Sequence, residues 1–403
     1  MFLLEKVLTR LVKKGILTVI DHKGKVRRFG VADPDFTDVT IRLADGRVPF
    51  DLVRSPGLGA AETFMDGRMV IEKGDILAFI ALVQKNNRWE DDRHMERPSG
   101  FKHALGMALR PLAQVNLPGR SRRNVAYHYD LDGGLYDLFL DADRQYSCAY
   151  YGQPDTTLED AQEAKKKHIA AKLALSPGQK VLDIGCGWGG MALYLNKHYD
   201  VDVTGITLST EQLGVARKRA EEAGVSDRVR FELIDYRKIG GRFDRIVSVG
   251  MFEHVGVPHF REFFRTCHNL LKPDGVMLLH TIGRVDGPSV TDAFTRKYIF
   301  PGGYIPALSE TMAAVETNRL MISDVEILRL HYAKTLRHWY ERTVANQEKI
   351  EALYDARFFR MWTFYLAGAI CAFEFGAMVN FQLQFVRDRH SLPITRDYMI
   401  EEG

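Results

Sequence analysis

A run of glycines is the part of the sequence best suited to hold a ligand. In KVLDIGCGWGGM, residues 180–191, Gly185, Gly187 and Gly190 satisfy the spacing G-x-G-x-x-G directly after an apolar strand that contains Asp183. Glycines at such a turn let the backbone approach a ligand closely, and the following helix starts there. The pattern alone is compatible with a dinucleotide or with S-adenosylmethionine.

The position of the next acidic residue separates these two ligands. A dinucleotide site places an acid about 20 residues after the first glycine, at the end of the next strand. That strand, residues 201–206, is followed by Thr207, Leu208 and Ser209. An acid, Asp235, instead follows the third strand, where it suits the amino group of a single adenine. The sequence therefore favours S-adenosylmethionine.

Polar residues also follow the fourth and fifth strands. Glu253 and His254 come just after the fourth strand in SVGMFEHVG, and His280 ends the fifth in VMLLHTIG. A single glutamate or histidine in such a place is more often structural. Two at neighbouring strand ends, facing the glycine turn, indicate a catalytic site.

Alternating apolar segments predict the fold that positions these residues. Strands are predicted at 180–184, 201–206, 229–234, 243–250 and 275–282, with helices at 158–175, 189–196, 210–224 and 258–271. This alternation predicts an α/β, doubly wound, Rossmann-like and mainly parallel sheet. A more helical stretch, about 290–373, is predicted to form a cap insertion before a last strand at 379–387.

Residues 1–88 predict a separate, small α+β domain. A helix at 2–14 is followed by predicted strands at 16–21, 26–30, 39–43 and 48–52, then by helix, turn, strand and helix over 58–84. This order resembles sterol-carrier-like lipid-binding domains. A packing or dimerisation module explains it equally well.

Residues 89–123 predict a linker, and 124–403 the catalytic domain. The linker carries Phe101, Leu105 and Leu112 among several arginines, so either a solvated connection or a segment that meets anionic lipid is possible. The run Lys165–Lys167 is interpreted as a solvated helix face.

Composition narrows the classes of protein. The formal net charge of +3 argues against a dedicated nucleic-acid binder. The four cysteines lie far apart and predict neither a metal site nor a disulfide framework, which favours a reducing cytoplasm. The amino terminus is too interrupted by charge for a secretion signal, and the apolar run 361–373 is too short to span a bilayer. Any contact with a membrane is expected from one side.

Several separated motifs together resemble one family. YSCAYY, LDIGCGWGG, GITLSTEQ, MFEHVG, LHTIG and HYAKTL occur in the order typical of cyclopropane-fatty-acyl-phospholipid synthases, over about residues 124–388. The resemblance implies transfer of a methylene group from S-adenosylmethionine to the cis double bond of an unsaturated phospholipid. It also implies a homodimer that associates peripherally with the inner membrane from the cytoplasm.

The resemblance also implies roles for individual residues. The cofactor would be bound by Tyr146, Ser147, Asp183, Gly185, Cys186, Gly187, Thr207, Leu208, Ser209, Gln212, Asp235, Tyr236 and Arg237. A bicarbonate ion would act as the general base, held by Glu253, His280, Tyr332 and backbone groups of Cys148 and Ile282. Cys371 falls in the apolar region that lines the acyl tunnel in relatives, where no nucleophilic role is expected.

Two other functions remain open from the sequence. The first is methylation without ring closure, either of an acyl chain or of a small amine, although the bicarbonate residues argue against the amine. The second is a lipid-binding protein without catalytic activity.

Overall fold

The computed structural model describes residues 1–91 and 133–401. These residues form two compact units. Unit 1 contains residues 1–91, 292–299 and 336–377, and unit 2 contains residues 133–291, 300–335 and 378–401. The stretch that the sequence predicts as a cap, about 290–373, thus contributes residues to both units. The basic part of the predicted linker lies outside the described residues.

The helices and strands follow one another along the chain. The first stretch contains α1 (Phe2–Leu11), β1 (Leu17–Ile20), β2 (Val26–Phe29), β3 (Val39–Leu43), α2 (Val48–Arg54), α3 (Pro56–Met65), β4 (Met69–Lys73) and α4 (Ile76–Lys85). The second begins with α5 (Gly133–Phe139), α6 (Leu158–Leu173), β5 (Lys180–Ile184), α7 (Gly190–Tyr199), β6 (Asp202–Thr207), α8 (Thr210–Glu222), β7 (Val229–Leu233), β8 (Phe243–Val249), α9 (Phe260–Leu270) and β9 (Leu271–Arg284). It ends with α10 (Leu308–Glu316), β10 (Met321–Leu328), α11 (His331–Ala345), α12 (Gln347–Leu353), α13 (Ala356–Glu374), β11 (Met378–Val386) and α14 (Tyr398–Glu401).

Unit 1 is built on a four-stranded sheet in the order β2-β1-β3-β4. Strand β1 is antiparallel to β2 and parallel to β3, and β4 is antiparallel to β3. The predicted helix, first three strands and later helix–strand–helix are confirmed. The predicted strand at 48–52 is wrong, because those residues form helix α2 with Pro49 in its first turn. Proline lacks the amide hydrogen that a strand needs but is tolerated at the start of a helix.

Unit 2 contains a seven-stranded sheet in the order β10-β11-β9-β8-β5-β6-β7. Strands β9, β8, β5, β6 and β7 are parallel, whereas β11 is antiparallel to both of its neighbours. The predicted doubly wound α/β sheet is confirmed, and its five parallel strands and the four predicted helices match their predicted bounds within a few residues. Its parallel strands all end at one edge, where ligands bind in such folds.

One strand of this sheet was missed. Residues Met321–Leu328 form β10, although the sequence predicts a helical stretch there. Six of its eight side chains are exposed or half-buried, with every second residue exposed, and it lies at the edge of the sheet next to β11. The alternation of MISDVEIL is a strand signal, but a short one beside long helical segments.

Two apolar clusters hold the sheet between its helices. On one face, Phe260, Phe263 and Phe264 of α9 pack with residues of β8 and β9. On the other, Met191 and Leu195 of α7 pack with β5, β6 and β7. The strand ends that carry the polar residues are therefore anchored to a rigid core. Within the described part of the chain, no helix combines the length and apolar character needed to cross a bilayer.

Candidate active site

A deep cleft opens at the carboxyl ends of strands β5, β6, β7 and β8, all within unit 2. Its empty volume is about 1160 Å³, counting the part open to solvent. Of the predicted cofactor residues, the cleft is lined by Tyr146, Ser147, Asp183, Gly185, Cys186, Gly187, Thr207, Leu208, Gln212, Asp235, Tyr236 and Arg237. The predicted cofactor residues from four separate segments therefore meet in one place.

The glycine turn forms the floor of this cleft. Gly185 and Gly187 have φ angles of +83° and +53°, a region that side chains with a Cβ atom rarely adopt. A Cβ atom added to Gly185 would lie 2.7 Å from the Cβ of Met251, whereas one added to Gly187 would meet nothing within 4 Å. The Gly187 backbone thus faces open space in the cleft, which leaves room for a ligand to approach it closely.

Asp183, at the end of β5, is a buried acid beneath this turn. Its side chain is 2% exposed, and its Oδ2 atom has no hydrogen-bond partner. Burial raises the pKa of Asp183 to about 7, against an opposing effect of the Lys165 charge. An orphaned carboxylate oxygen at the wall of a cleft is suited to accept a hydrogen bond from a cationic ligand group.

The end of β6 supplies a hydroxyl and an amide to the cleft. The Thr207 Oγ1 atom donates to Gln212 Oε1 at 3.0 Å, and both residues line the cleft. Ser209 has a different position from the one predicted. It caps helix α8, where its Oγ accepts from the Gln212 amide at 3.2 Å, and it does not line the cleft.

At the end of β7, Asp235 is paired with a neighbour rather than free. The Arg237 guanidinium donates to its two carboxylate oxygens at 2.8 and 2.7 Å. Burial raises the pKa of Asp235, but the hydrogen bonds and charge of Arg237 outweigh it and leave the pKa below its usual value. Asp235 is therefore charged at neutral pH and faces the cleft as an acceptor.

The segment that carries Tyr146 and Ser147 is held from below by helix α6. The run Lys165–Lys167 was predicted to be solvated, which is wrong for two of its residues. Lys165 is fully buried and Lys166 is 7% exposed, while Lys167 is exposed. Lys165 donates to the hydroxyl of Ser147 at 2.9 Å. The buried side of helix α6 extends over Lys165 and Lys166, and Lys167 is the one of the three that points to solvent.

Two of the residues predicted to hold the base, Glu253 and Ile282, contact each other next to the cleft residue His254. The Glu253 Oε1 atom accepts from the Ile282 amide at 2.7 Å, and Glu253 Oε2 is buried without a hydrogen-bond partner. Burial raises the pKa of Glu253 to about 6. The carbonyl of His280 accepts from the amide of Gly250, which lines the cleft, at 2.9 Å. This hydrogen bond therefore joins the strand end that carries His280 to the strand end that lines the cleft.

The His280 ring is buried and has neighbours at both nitrogens. Its Nε2 lies 3.1 Å from the Asn380 amide nitrogen, and its Nδ1 lies 3.2 Å from that of Gln382. Burial and the nearby lysine charges hold the pKa of His280 well below its ordinary value, so the ring is neutral. Both contacts orient the ring, and any further ligand must share one of them.

Cys148 and Tyr332 lie on two segments that contact each other. Cys148 is buried, and the next amide, of Ala149, donates to Thr335 Oγ1 at 3.1 Å. Thr335 lies one turn after Tyr332 on α11, and the Tyr332 side chain is 7% exposed. Burial raises the pKa of the Cys148 thiol, which keeps it protonated.

Cys371 is not part of this arrangement. It belongs to helix α13 in unit 1, whereas the other predicted catalytic residues belong to unit 2. Burial raises the pKa of its thiol to about 12, so it is not a nucleophile at neutral pH.

Several cleft residues were not predicted to bind the cofactor. They are Arg144, Gln145, Ile184, Trp188, Met191, Ile206, Ile234, Val249, Gly250, Met251, His254 and Val255. Burial lowers the pKa of His254 to about 4, so its ring is neutral. His254 and Trp188 lie inside the motifs MFEHVG and LDIGCGWGG, so the motifs contained the signal. The apolar residues of the cleft carry no such signal in the sequence, since they look like ordinary core residues.

Comparison with known proteins agrees with this geometry. A model of the mycolic acid cyclopropane synthetase family matches residues 118–383. The chain belongs to this family. It is 42% identical to a probable fatty acid methyltransferase of Pseudomonas putida, covering 85% of this chain and 86% of that one. It is 38% identical to the cyclopropane-fatty-acyl-phospholipid synthase of Escherichia coli K12, covering 89% and 91%.

Solved structures of relatives have the same fold. The mycolic acid cyclopropane synthase CmaA1, complexed with SAH and CTAB, is 35% identical with a TM-score of 0.63 and covers 66% of this chain and 97% of that one. The family and the enzyme class predicted from the sequence, an S-adenosylmethionine-dependent methyltransferase, are thereby confirmed.

Proposed function

We propose that this protein is a cyclopropane fatty acid synthase. It transfers a methylene group from S-adenosylmethionine to the cis double bond of an unsaturated phospholipid acyl chain. The observation that carries the proposal is the buried carboxylate of Glu253, which lies at the strand end next to the methyl-donor cleft and keeps one oxygen unpaired.

The cleft residues fit the methyl donor. When bound, S-adenosylmethionine supplies an electrophilic methyl group. The open space above Gly187 accommodates a ligand against the backbone, and the orphaned Asp183 oxygen suits its amino group. Asp235 is placed to accept from the adenine end. These contacts would hold the donor in one orientation, which is the main requirement when the acceptor is a weakly nucleophilic alkene.

The residues beside the cleft fit an oxyanion that serves as a base. Bicarbonate, when bound, would supply the group that accepts the proton lost on ring closure. Glu253 Oε2 is the unpaired acceptor that would orient its hydroxyl. Tyr332 and the backbone groups of Cys148 and Ile282 are the other groups that we propose would hold the ion. The Ile282 amide already donates to Glu253, so in this arrangement it acts by fixing the carboxylate.

Aromatic side chains support a cationic step. Methyl transfer to an alkene leaves a positive charge on carbon, which aromatic faces stabilise without reacting with it. Tyr146 and Trp188 line the cleft, and Tyr136 packs between them at 5.7 and 5.8 Å from their ring centres. This packing fixes the orientation of the Tyr146 and Trp188 rings, whose faces line the cleft.

The test is a lipid product assay. Vesicles of a monounsaturated phospholipid are incubated with methyl-labelled S-adenosylmethionine, and the extracted lipid is examined by mass spectrometry and proton NMR. We expect each modified chain to gain one CH2 unit, lose its olefinic protons and show upfield ring protons. Vesicles of saturated phospholipid are the control. No label in the unsaturated lipid would contradict the proposal.

A second candidate is methylation without ring closure. It is favoured by the relative described as a probable fatty acid methyltransferase, which is 42% identical. The same assay separates the two functions, because a methyl-branched product shows a methyl doublet in place of the ring protons. That result would keep the methyl donor and the lipid substrate but would exclude the synthase.

The site also constrains where the protein works. An acyl chain must leave the bilayer to reach a cleft in a protein that meets the membrane from one side. We therefore propose a cytoplasmic homodimer attached peripherally to the inner membrane, since two surfaces together bind more tightly than one. Light scattering should give twice the chain mass of 45.9 kDa, and a monomer at micromolar concentration would contradict the dimer.

A further inference from the structure

Lys165 is a fully buried lysine that touches the wall of the cleft from outside. Lysine is almost never completely buried unless its charge is paired. Its ammonium group donates to the side chains of Gln145 and Ser147, the latter at 2.9 Å, and both residues line the cleft. One cation thus fixes two cleft residues that flank Tyr146.

The contacts of Gln145 leave its amide no freedom. Its oxygen accepts from Lys165, and its nitrogen donates to Asp143 Oδ2 at 2.9 Å. Asp143 is itself bound by Lys166 and Arg219. Because both ends of the amide are used, the Gln145 side chain has one orientation.

The same helix also holds the backbone of this segment. The Gln162 amide nitrogen donates to the carbonyl oxygens of Gln145 at 3.2 Å and Ser147 at 3.0 Å. Gln162 lies one turn before Lys165 on α6. Helix α6 therefore fixes the main chain through Gln162 and the side chains through Lys165.

The charge of Lys165 also acts on the cleft. Burial lowers its pKa to about 8, while the charges of Asp141 and Asp143 oppose that effect. In turn its positive charge opposes the rise that burial causes in the pKa of Asp183. A charged Lys165 therefore favours the ionised form of an acid that lines the cleft.

We propose that Lys165 is a positioning residue for the methyl donor, acting through Gln145 and Ser147 to hold the Tyr146 segment in its binding conformation. This inference rests on the proposed function, because it requires that the donor binds in this cleft. Lys165 does not line the cleft and is assigned no contact with the donor.

The first test is Lys165→Met, which keeps the length of the side chain and removes the charge and its donors. Titration calorimetry with S-adenosylhomocysteine should show a Kd raised about tenfold, since hydrogen bonds to charged groups are lost. The KM for S-adenosylmethionine should rise in parallel, while kcat at saturation changes by less than about threefold. The melting temperature should fall, because the variant leaves the Gln145 oxygen without its donor, so the titration is run below the melting range of both proteins.

The matched control is Lys172→Met on the same helix. Lys172 is 2% exposed and pairs with Glu326, so it is also a buried lysine, but it does not contact the cleft segment. Its Kd for S-adenosylhomocysteine should stay within about twofold of the wild type. A tenfold loss of affinity in Lys172→Met as well would overturn the proposal. An unchanged Kd in Lys165→Met would also overturn it.

A double-mutant cycle tests the route through Ser147. If Lys165 acts through this hydroxyl, Ser147→Ala combined with Lys165→Met should weaken binding by less than the product of the single effects. If the Kd of the double variant rose by the full product of the two single increases, the route through Ser147 would be wrong. If the wild-type protein itself failed to bind S-adenosylhomocysteine, the proposed function would be wrong, which distinguishes the two failures.

Discussion

The site residues differ most clearly in what burial does to their charge. Asp183 and Glu253 have pKa values raised to about 7 and 6, whereas Asp235 is held below its usual value by Arg237. His280 and His254 are kept neutral by desolvation. Groups with perturbed pKa values thus cluster around one cleft, as expected of an active site.

The unpaired oxygen of Glu253 predicts the effect of a single substitution on turnover. Glu253→Gln keeps the shape of the side chain but removes the charge that would orient the base. We expect kcat to fall on the order of 10² to 10⁴-fold. The Kd for S-adenosylhomocysteine should stay nearly unchanged, because Glu253 does not line the cleft.

Glu316→Gln is the control for this carboxylate-to-amide change, since Glu316 is exposed at the end of α10. Its kcat should stay within about twofold of the wild type. A loss of cofactor affinity in Glu253→Gln, with kcat preserved, would remove Glu253 from the role of holding the base.

The raised pKa of Asp183 predicts how stability depends on pH. The folded protein binds this proton more tightly than the unfolded chain, whose pKa at this residue is 3.8. The contribution of Asp183 to the free energy of unfolding therefore falls as the pH rises from about 4 to about 7, and stays low above that. Asp183→Asn should remove this contribution.

Urea unfolding of the ligand-free protein at a series of pH values measures this difference. The stability of Asp183→Asn relative to wild type should increase between pH 4 and pH 7 and then level off. A difference that is constant with pH would show that Asp183 has an ordinary pKa in the folded protein.

At the scale of elements, the glycine turn between β5 and α7 decides the shape of the cleft. Gly187→Ala places a methyl group in the open space that the ligand is expected to fill, at a φ of +53° that costs about 1 kcal/mol for a side chain. We expect the Kd for S-adenosylhomocysteine to rise at least about tenfold, measured by calorimetry.

Gly178→Ala provides a matched control. Gly178 has a φ of +77° and no atom within 4 Å of an added Cβ, but it does not line the cleft. The two variants should lose similar stability in thermal unfolding, while only Gly187→Ala loses affinity. Equal affinities would mean that the ligand does not approach this turn.

Elements of the sheet were predictable to different extents. The parallel strands β5 to β9 are buried apolar runs bounded by turns, and the sequence located all of them. The sequence predicts a strand over residues 48–52, but Pro49 has no amide hydrogen for pairing in a sheet and lies in the first turn of helix α2. Strand β10 depends on pairing with β11, which is distant in sequence.

At the scale of the whole molecule, the question is how the protein reaches its lipid. We propose that the protein contacts the membrane from one side. The sequence places Arg120, Arg122 and Arg123 in the linker, where each cation near an anionic surface contributes about 1 kcal/mol. Replacing all three with alanine should weaken binding to anionic vesicles by roughly 10²-fold in a flotation assay.

The control replaces three exposed cations of the catalytic unit, Lys197, Lys218 and Arg230, with alanine. This variant has the same net charge as the triple arginine variant, and it should float with the vesicles as the wild type does. Equal losses in both variants would show that only net charge matters. Binding that is insensitive to salt would contradict an electrostatic contact.

The sequence by itself determined the family, the parallel sheet, the glycine turn and half of the residues that line the cleft, because these depend on local patterns: apolar strands, residues at strand ends and contiguous motifs. Only the tertiary structure decided that Lys165 is buried, that His280 has neighbours at both nitrogens and that Cys371 lies in the other unit. Those outcomes depend on contacts between residues far apart in the chain. Burial and pairing are set by such contacts, and no local pattern encodes them.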